Sequence, residues 1–462
     1  MDTFDGYHSE WNLGSPGGWD YQRTTQEIGE AVWNIVAETK DPGVELDFSH
    51  PYTRPVITFA GMLVRAHKKR EGSNPGVIAV VAEEETLEDV TENRNLADRL
   101  SGFDGIKGVL IAPHWLELKD GKVAYQGEPV SVLFTDFNTD VLLREHRKCD
   151  CAPLVQAVRE GRVINPRGTE PINVKSMFEV LTSPGNERFH PETVRRTPWT
   201  RQFYERKTAG PNGEEIDDLF EWTRKNWDNL VLKPERGYSG KGVRVGVVNE
   251  SAEEAINLAL SEGDYIVQQK IPLNLWAEDV PEVDHEAKSV FMRRYQTDHR
   301  CFNGPDGLIG FLARIGDVPT NVGSGGGMQP IAVLRSDMTV KDAVERTNEA
   351  IASLEYGVLA RMEEVRKRMA MDAKFTYLLG PIKIALRPRI VTPGHLEALA
   401  AYGKAMWEDC LKMEKMWLEG GLDHIVKIEE EELDIARSQP WKGSDAIIAS
   451  DGLFSFGAHP RE

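Results

Sequence analysis

The residue that most invites chemistry is Lys233, an ammonium at the end of the apolar run Leu230-Val231-Leu232 and directly before Pro234. The chain continues Glu235-Arg236-Gly237-Tyr238-Ser239-Gly240-Lys241-Gly242-Val243-Arg244-Val245-Gly246, a glycine-rich loop between two strand-like runs. Glycines also serve ordinary turns, and the common phosphate loop needs Gly-Lys-Ser/Thr leading into a helix. Here Gly240-Lys241 is followed by Gly242 and a second strand, so the expectation is a hairpin lid whose backbone N–H groups fold over phosphates. Lys233, on the preceding strand, would aim a compact cation at the same phosphates. After a helical stretch at 255–260 comes Tyr265-Ile266-Val267-Gln268-Gln269-Lys270-Ile271. As an edge strand ending in polar residues, it would offer re-exposed backbone N–H and C=O groups to the edge of a base.

Periodicity indicates what holds these residues. Between 25 and 165, helical patterns alternate with the apolar runs Val77-Ile78-Ala79-Val80-Val81, Val109-Leu110-Ile111 and 130–137, which predicts an open α/β layer. Asp120-Gly121 can supply the positive φ values of a tight hairpin. The Gly/Pro/Asn-rich stretch 165–173 marks a boundary, and 182–200 reads as another loop. Short strands and glycine-rich turns dominate 230–330. Residues 340–371 read as one long amphipathic helix, with Val344, Ile351, Leu354, Val358, Met362, Val365 and Met369 on a core-facing stripe. Thr392 and Pro393 open a second helix that stops near Gly420-Gly421, and its Leu396, Leu399, Met406, Cys410 and Trp417 are expected against the first. Residues 445–456 read as strand material with a turn at Asp451-Gly452. The resulting division is 1–24, 25–165, 166–335, 336–444 and 445–462, with the first and last segments side by side and the final strand completing a sheet.

The order Lys175, Lys233-Pro234, glycine-rich lid and Val267-Gln268-Gln269 resembles the ATP-grasp ligases. Asp298-His299-Arg300, Ala313-Arg314-Ile315 and Asn321-Val322-Gly323-Ser324-Gly325-Gly326-Gly327 look like the circularly permuted branch of that superfamily, which includes glutathionylspermidine-type and peptide ligases. The resemblance implies an α/β (α+β) chain with a permuted ATP-grasp fold. On this reading 25–165 is a pre-ATP-grasp α/β domain, 166–335 the nucleotide-binding region, 336–444 an added helical region and 445–462 a strand returning to the metal site. The implied cofactors are ATP and Mg²⁺. Around the nucleotide the resemblance places Lys175 and Lys233, the lid residues Gly237, Tyr238, Ser239, Gly240, Lys241 and Gly242, the hinge Gln268, Gln269, Lys270 and Ile271, and the loop residues Gly325 and Gly326. Gln268-Gln269 stands where many relatives carry an acidic residue.

In the permuted branch the metal ligands precede everything else. Glu10-Trp11-Asn12, followed by Leu13-Gly14-Ser15-Pro16-Gly17-Gly18, looks like the metal strand and its turn. Strand alternation puts Glu10 and Asn12 on one face, where two oxygen ligands can hold Mg²⁺ against phosphates. Asp2 is the candidate third ligand, although a two-residue turn at Asp5-Gly6 would pair it with Ser9 and point it away. The implied reaction joins a carboxylate to an amine through an acylphosphate, releasing ADP and phosphate. Arg300 and Arg314 are the candidate catalytic arginines, because guanidinium can clamp a phosphoryl or carboxylate group in bidentate fashion; a structural ion pair is the alternative for each. The implied partners are small molecules: an amino acid, short peptide or polyamine. A small-molecule phosphotransferase would use nearly the same parts, and a catalytically silent ATP-binding protein is the third class.

Composition bounds these readings. The 462 residues, 40% of them hydrophobic, suffice for about three domains. A formal charge of −19 argues against a nucleic-acid partner. Four cysteines make no disulfide framework, and no apolar run approaches the ~20 residues of a membrane span, so the expected location is the cytoplasm.

Overall fold

The computed structural model describes residues 4–237, 240–246, 251–272, 277–317, 320, 322, 325–377 and 380–457. Its first strand, β1 (Asp5–Asn12), runs straight through Asp5-Gly6, where a hairpin turn was expected. The turn does not form because β1 is zipped antiparallel to a strand from the far end of the chain, from Asp5 opposite Ser455 to Asn12 opposite Ala449. A Cβ on Gly6 would meet the Leu453 carbonyl oxygen at 2.1 Å, so this glycine serves close strand approach. Asp2 lies outside the described residues.

Strands β2 (Gly76–Val81), β3 (Ile106–Ile111), β4 (Glu117–Lys119), β5 (Lys122–Tyr125), β6 (Glu128–Thr135) and β7 (Val163–Ile164) form one sheet. Its order is β3-β2-β6-β5-β4, with β7 also beside β6. β2, β3, β6 and β7 are parallel, and Val77 to Val81 are all buried, as strands covered on both faces require. Helix α1 (Tyr21–Thr39) precedes this sheet, and α2 (Pro55–Glu71) packs Phe59 and Leu63 into a core with Ile78, Val80 and Phe134. α3 (Thr91–Ser101) links β2 to β3. Asp120 and Gly121 take φ of 51° and 75° at the β4–β5 turn, as their types predict.

A second, antiparallel sheet contains β8 (Thr200–Gln202), β9 (Leu230–Pro234), β10 (Arg244–Val245) and β11 (Tyr265–Gln269), in the order β10-β9-β11-β8. The strand expected at an edge, β11, is interior, because β8 emerges from the region read as loop and pairs along its outer side.

The largest sheet joins β1 to β12 (Ala277–Asp284), β13 (Ser289–Gly304), β14 (Gly307–Gly316), β15 (Gly327–Gln329), β16 (Lys383–Ile384) and β17 (Ile448–Ser455). The order is β1-β17-β13-β14-β15-β16, with β12 also on β13. Asp451-Gly452 is therefore not a turn. β17 passes through it between two partners, with Asp451 opposite Glu10 on one side and Arg300 on the other. Phe4 stacks on Phe456, so the described ends of the chain meet.

The single long helix expected at 340–371 is two, α4 (Val340–Ala352) and α5 (Tyr356–Asp372), separated where Glu355 becomes extended. Leu354 stays in the same buried cluster as Ile351, Leu359 and Met362, so the apolar spacing reads through the break. α6 (Pro393–Leu418) has the expected Thr392 cap and leading proline. It does not pack on α4 or α5 as expected. Met406, Cys410 and Trp417 join Trp11, Met177 and Phe178, while Leu396 and Leu399 join Phe311 and Phe454 of the large sheet. The last helix, α7 (Glu430–Ser438), leads toward β17. Among the described residues no helix is long and apolar enough to cross a membrane.

One buried amide ties the chain end to its beginning. Asn165 Nδ2 shares its two hydrogens among the carbonyls of Leu13 (3.0 Å), Gly14 (2.6 Å) and Ile447 (2.6 Å), and its Oδ1 accepts the Ile447 N–H at 2.7 Å. Asn165→Ala leaves these groups without partners and is expected to cost about 3 kcal/mol, measured as a lower midpoint in urea unfolding.

Candidate functional site

The antiparallel sheet and the large sheet face each other across a cavity of about 250 Å³. From one side β9 contributes Lys233 and β11 contributes Gln268; from the other come Glu10, Asp298, Arg314 and Asp451. Val231 lies opposite Gln268, so Lys233, two residues further along β9, projects from the same face and reaches it diagonally. Lys233 Nζ donates to Gln268 Oε1 at 2.8 Å and to the Ser9 carbonyl at 3.2 Å. Burial of the ammonium lowers its pKa to about 8, with Lys175 pushing the same way against the opposing pull of Glu10 and Asp451. Lys175 Nζ donates to the Gly237 carbonyl at 3.0 Å and stands 3.6 Å from Glu10 Oε2.

From the glycine-rich loop, Gly237, Gly240 and Lys241 stand in the wall of this cavity. Gly237, Gly240 and Gly242 have φ of 126°, 72° and 73°, conformations that need glycine. Arg236 roots the loop on Glu432 of α7 through two bonds of 2.9 and 2.7 Å, and the Gly242 carbonyl accepts the Tyr265 hydroxyl at 3.1 Å. Tyr238 and Ser239 lie outside the described residues. Gln269, Lys270 and Ile271 line the cavity, but the backbone expected to be open at the hinge is partly used. The Gln269 and Lys270 N–H groups donate to the carbonyls of Trp199 and Asn229, both at 2.8 Å, because β8 flanks this strand on one side and β9 on the other. Gly325 and Gly326 are not among the described residues lining the cavity; their neighbour Thr320 is.

Behind the lysines sits a compact charge network. Arg300 grips Asp451 with Nε and Nη2, each at 2.6 Å, and donates Nη1 to the Gly17 carbonyl at 2.9 Å. Arg314 grips Asp298 at 2.6 and 2.9 Å and also reaches Asp451 at 3.0 Å. Burial alone would raise the Asp451 pKa, but Arg300 and Arg314 together outweigh it and hold the carboxyl below its usual range. Asp298 goes the other way: burial raises it, helped by the nearby Asp451 charge, despite Arg314.

Asp451, expected in a turn, is a strand residue lining the cavity. Its signal was present all the same, as one carboxylate inside the apolar run Ile447-Ile448-Ala449 to Leu453-Phe454. Register sets it directly opposite Glu10, two residues before Asn12. Among the described residues no three His, Cys, Asp or Glu cluster as a metal site; the third oxygen donor available here is an amide. Asn12 has a buried amide nitrogen without a hydrogen-bond partner, and among the described residues Glu10 is ion-paired with Lys175 at 3.6 Å. Two carboxylates and an amide oxygen, as Glu10, Asp451 and Asn12 supply here, are the ligand types a hard cation such as Mg²⁺ takes.

A second cavity, of about 340 Å³, shares Glu10 and Arg314 with the first and adds Asn12 and Arg300. Its opposite wall carries Glu83, Glu92, Asp136 and Asn138, from the C-terminal ends of β2 and β6 and the start of α3. These strand ends flank the point where the parallel sheet reverses its order, a standard place for a ligand crevice. Glu92 accepts the Gly18 and Asp20 N–H groups; burial, reinforced by Asp136, pushes its pKa up to about 8. Asp136 accepts from Asn93 at 2.6 Å, and burial raises it to about 6.

No protein-family model matches the chain, and no curated protein does. Among solved structures, the RimK domain protein ATP-grasp from Sphaerobacter thermophilus DSM 20745 is similar at 14% identity, over 59% of this chain and 99% of that one, with a TM-score of 0.29. A likeness that loose carries no argument, and the reading of the site rests on this chain's own residues.

Lys233 makes a signed prediction. Its pKa falls from 10.5 to about 8 on folding, so between those values the unfolded chain binds more protons than the native one. The penalty for burying this charge is full below pH 8 and relieved as pH rises toward 10.5. Urea titrations of wild type and Lys233→Met at pH 7 to 10 are expected to show wild-type stability gaining on the variant above pH 8.

Proposed function

We propose that this chain is an ATP-grasp enzyme that uses Mg-ATP to join a carboxylate to an amine. The observation carrying the reading is that Lys175, Lys233, Glu10 and Asp451 line one cavity together with Gly237, Gly240 and Lys241 of the glycine-rich loop. Cations and carboxylates around one cavity, with Gly237 and Gly240 in its wall, suit a polyphosphate bound through a metal. Glu10, Asn12 and Asp451 would hold Mg²⁺, which when bound neutralises phosphate charge. Lys233 and Lys175 bind the phosphates, the loop 236–242 covers them, and the residues from Gln268 to Ile271 lie along the base.

The second cavity is where the reacting carboxylate and the amine would sit. Its Arg300 and Arg314 border the phosphates, so a carboxylate placed there is oriented toward the γ-phosphoryl group, and developing negative charge meets two guanidinium groups. In that role they are structural ion-pair partners of Asp451 and Asp298 as well as charge stabilisers. The acidic side chains Asp136 and Glu83 on the far wall suit an ammonium-bearing acceptor, so 25–165 would form the acceptor domain and 166–335 the nucleotide domain. An acylphosphate attacked by the amine completes the reaction, with ADP and phosphate as products.

The test is ADP release with carboxylate and amine candidates supplied singly and together. Release is expected only with both, and hydroxylamine in place of the amine should give a hydroxamate; ADP with a phosphorylated product and no amine requirement would identify a phosphotransferase instead. Glu10→Gln is expected to lower kcat by about a hundredfold or more while leaving thermal stability near wild type, because among the described residues Glu10 loses one long ion pair, that with Lys175. Asp136→Asn should raise KM for the amine roughly tenfold and leave KM for ATP unchanged, as steady-state kinetics would read.

A further inference from the structure

Gln268 is 2% exposed and sits between β9 and β8, opposite Val231 on one and Thr200 on the other. Its Nε2 donates to Thr200 Oγ1 at 3.0 Å, and its Oε1 accepts from Lys233 Nζ at 2.8 Å. The Thr200 hydroxyl proton is already given to the Pro198 carbonyl at 2.9 Å, so toward Gln268 that oxygen can only accept. This fixes which end of the amide points where. A flipped amide would set N–H groups against an ammonium and leave the Thr200 oxygen facing a carbonyl. The bonds run one way, from Lys233 to Gln268 to Thr200 to Pro198.

The choice of a neutral side chain matters at this position. Lys233 has three N–H donors; Gln268 takes one and the Ser9 carbonyl takes another at 3.2 Å, which leaves one for the cavity. The charged groups facing Lys233 are Glu10, Lys175 and Asp451. Glu10 lies against Lys175, and Asp451 is gripped by Arg300 and Arg314. Among the described residues, no carboxylate is hydrogen-bonded or ion-paired to Lys233. A carboxylate at position 268 would replace an uncompensated cation with a closed ion pair.

We propose that Gln268 is a positioning residue for Lys233: locked by Thr200, its amide holds the ammonium over the cavity through a neutral acceptor and leaves the charge to an anionic ligand. Only the identity of that ligand, a nucleotide phosphate, rests on the function proposed above; the orientation and charge state of the ammonium do not.

Two measurements separate the two claims. Lysine acylation by acetic anhydride from pH 6 to 11, with the Lys233 peptide quantified by mass spectrometry, reads the ammonium directly in the absence of nucleotide. Wild type is expected to react half-maximally near pH 8. Gln268→Glu, nearly isosteric, should move that midpoint upward by about one to three pH units. A side chain at 268 that does not hold the ammonium would leave the midpoint in place, so superimposable profiles for the two proteins would overturn the proposal. Calorimetric titration with Mg-ATP at pH 7 reads the consequence: Gln268→Glu should bind roughly tenfold more weakly or worse, because its carboxylate competes with phosphate for the same charge. Equal affinity in wild type and variant would contradict the role. A midpoint shift with no Mg-ATP binding to wild type would keep the positioning and discard the nucleotide.

Discussion

The pairing of β1 with β17 is the constraint on which the rest of the site depends. Two strands from opposite ends of the chain lie antiparallel in the middle of the chemistry, and their register alone sets Glu10 beside Asp451. β17 then pairs with β13, which brings Arg300 against Asp451, and β14 adds Arg314 and, through it, Asp298. Because side chains alternate along a strand, a slip of one residue in β1 would send Glu10 into the core and Trp11 to the cavity. Trp11 is instead 5% exposed, packed with His8 and Phe178, and this buried face locks the register. Asn165 adds a fastening at the end of the pairing, bonding the turn after β1 to the residue before β17.

The electrostatics follow from that arrangement. A chain with a formal charge of −19 repels polyphosphates at a distance, so any attraction must be local. Local attraction comes from Lys175 and Lys233 on the first cavity, while Arg300 and Arg314 are largely neutralised by Asp451 and Asp298. The two cavities thus differ in character although they share Glu10 and Arg314. One is bounded by lysines and glycine backbone; the other has desolvated acidic side chains opposite the arginines.

What the sequence made legible was mostly local. The apolar runs became β2, β3 and β6, Asp120-Gly121 became a hairpin turn, and Thr392-Pro393 opened α6, because each depends on residue type and short-range geometry. Asp5-Gly6 and Asp451-Gly452 misled for the opposite reason: both have turn chemistry, and both are held straight by strands hundreds of residues away. Reading Asp451 as a turn also hid the carboxylate that faces Glu10. The same limit explains β11, whose edge position was lost to β8, and the break between α4 and α5, which preserves the apolar spacing on either side. Glu92 and Asp136 carried no sequence signal at all, since each is one acidic residue among the 74 in the chain until folding brings them to a common wall.

The central claim is a magnesium-dependent nucleotide site organised around Lys233. Its most direct test is thermal unfolding of the wild type and of Lys233→Ala over a titration of ATP, with and without magnesium. A ligand that binds only the native state raises Tm with the logarithm of its concentration. The account predicts such a rise for the wild type, dependent on magnesium and lost in the variant; an unchanged Tm at millimolar Mg-ATP would contradict it.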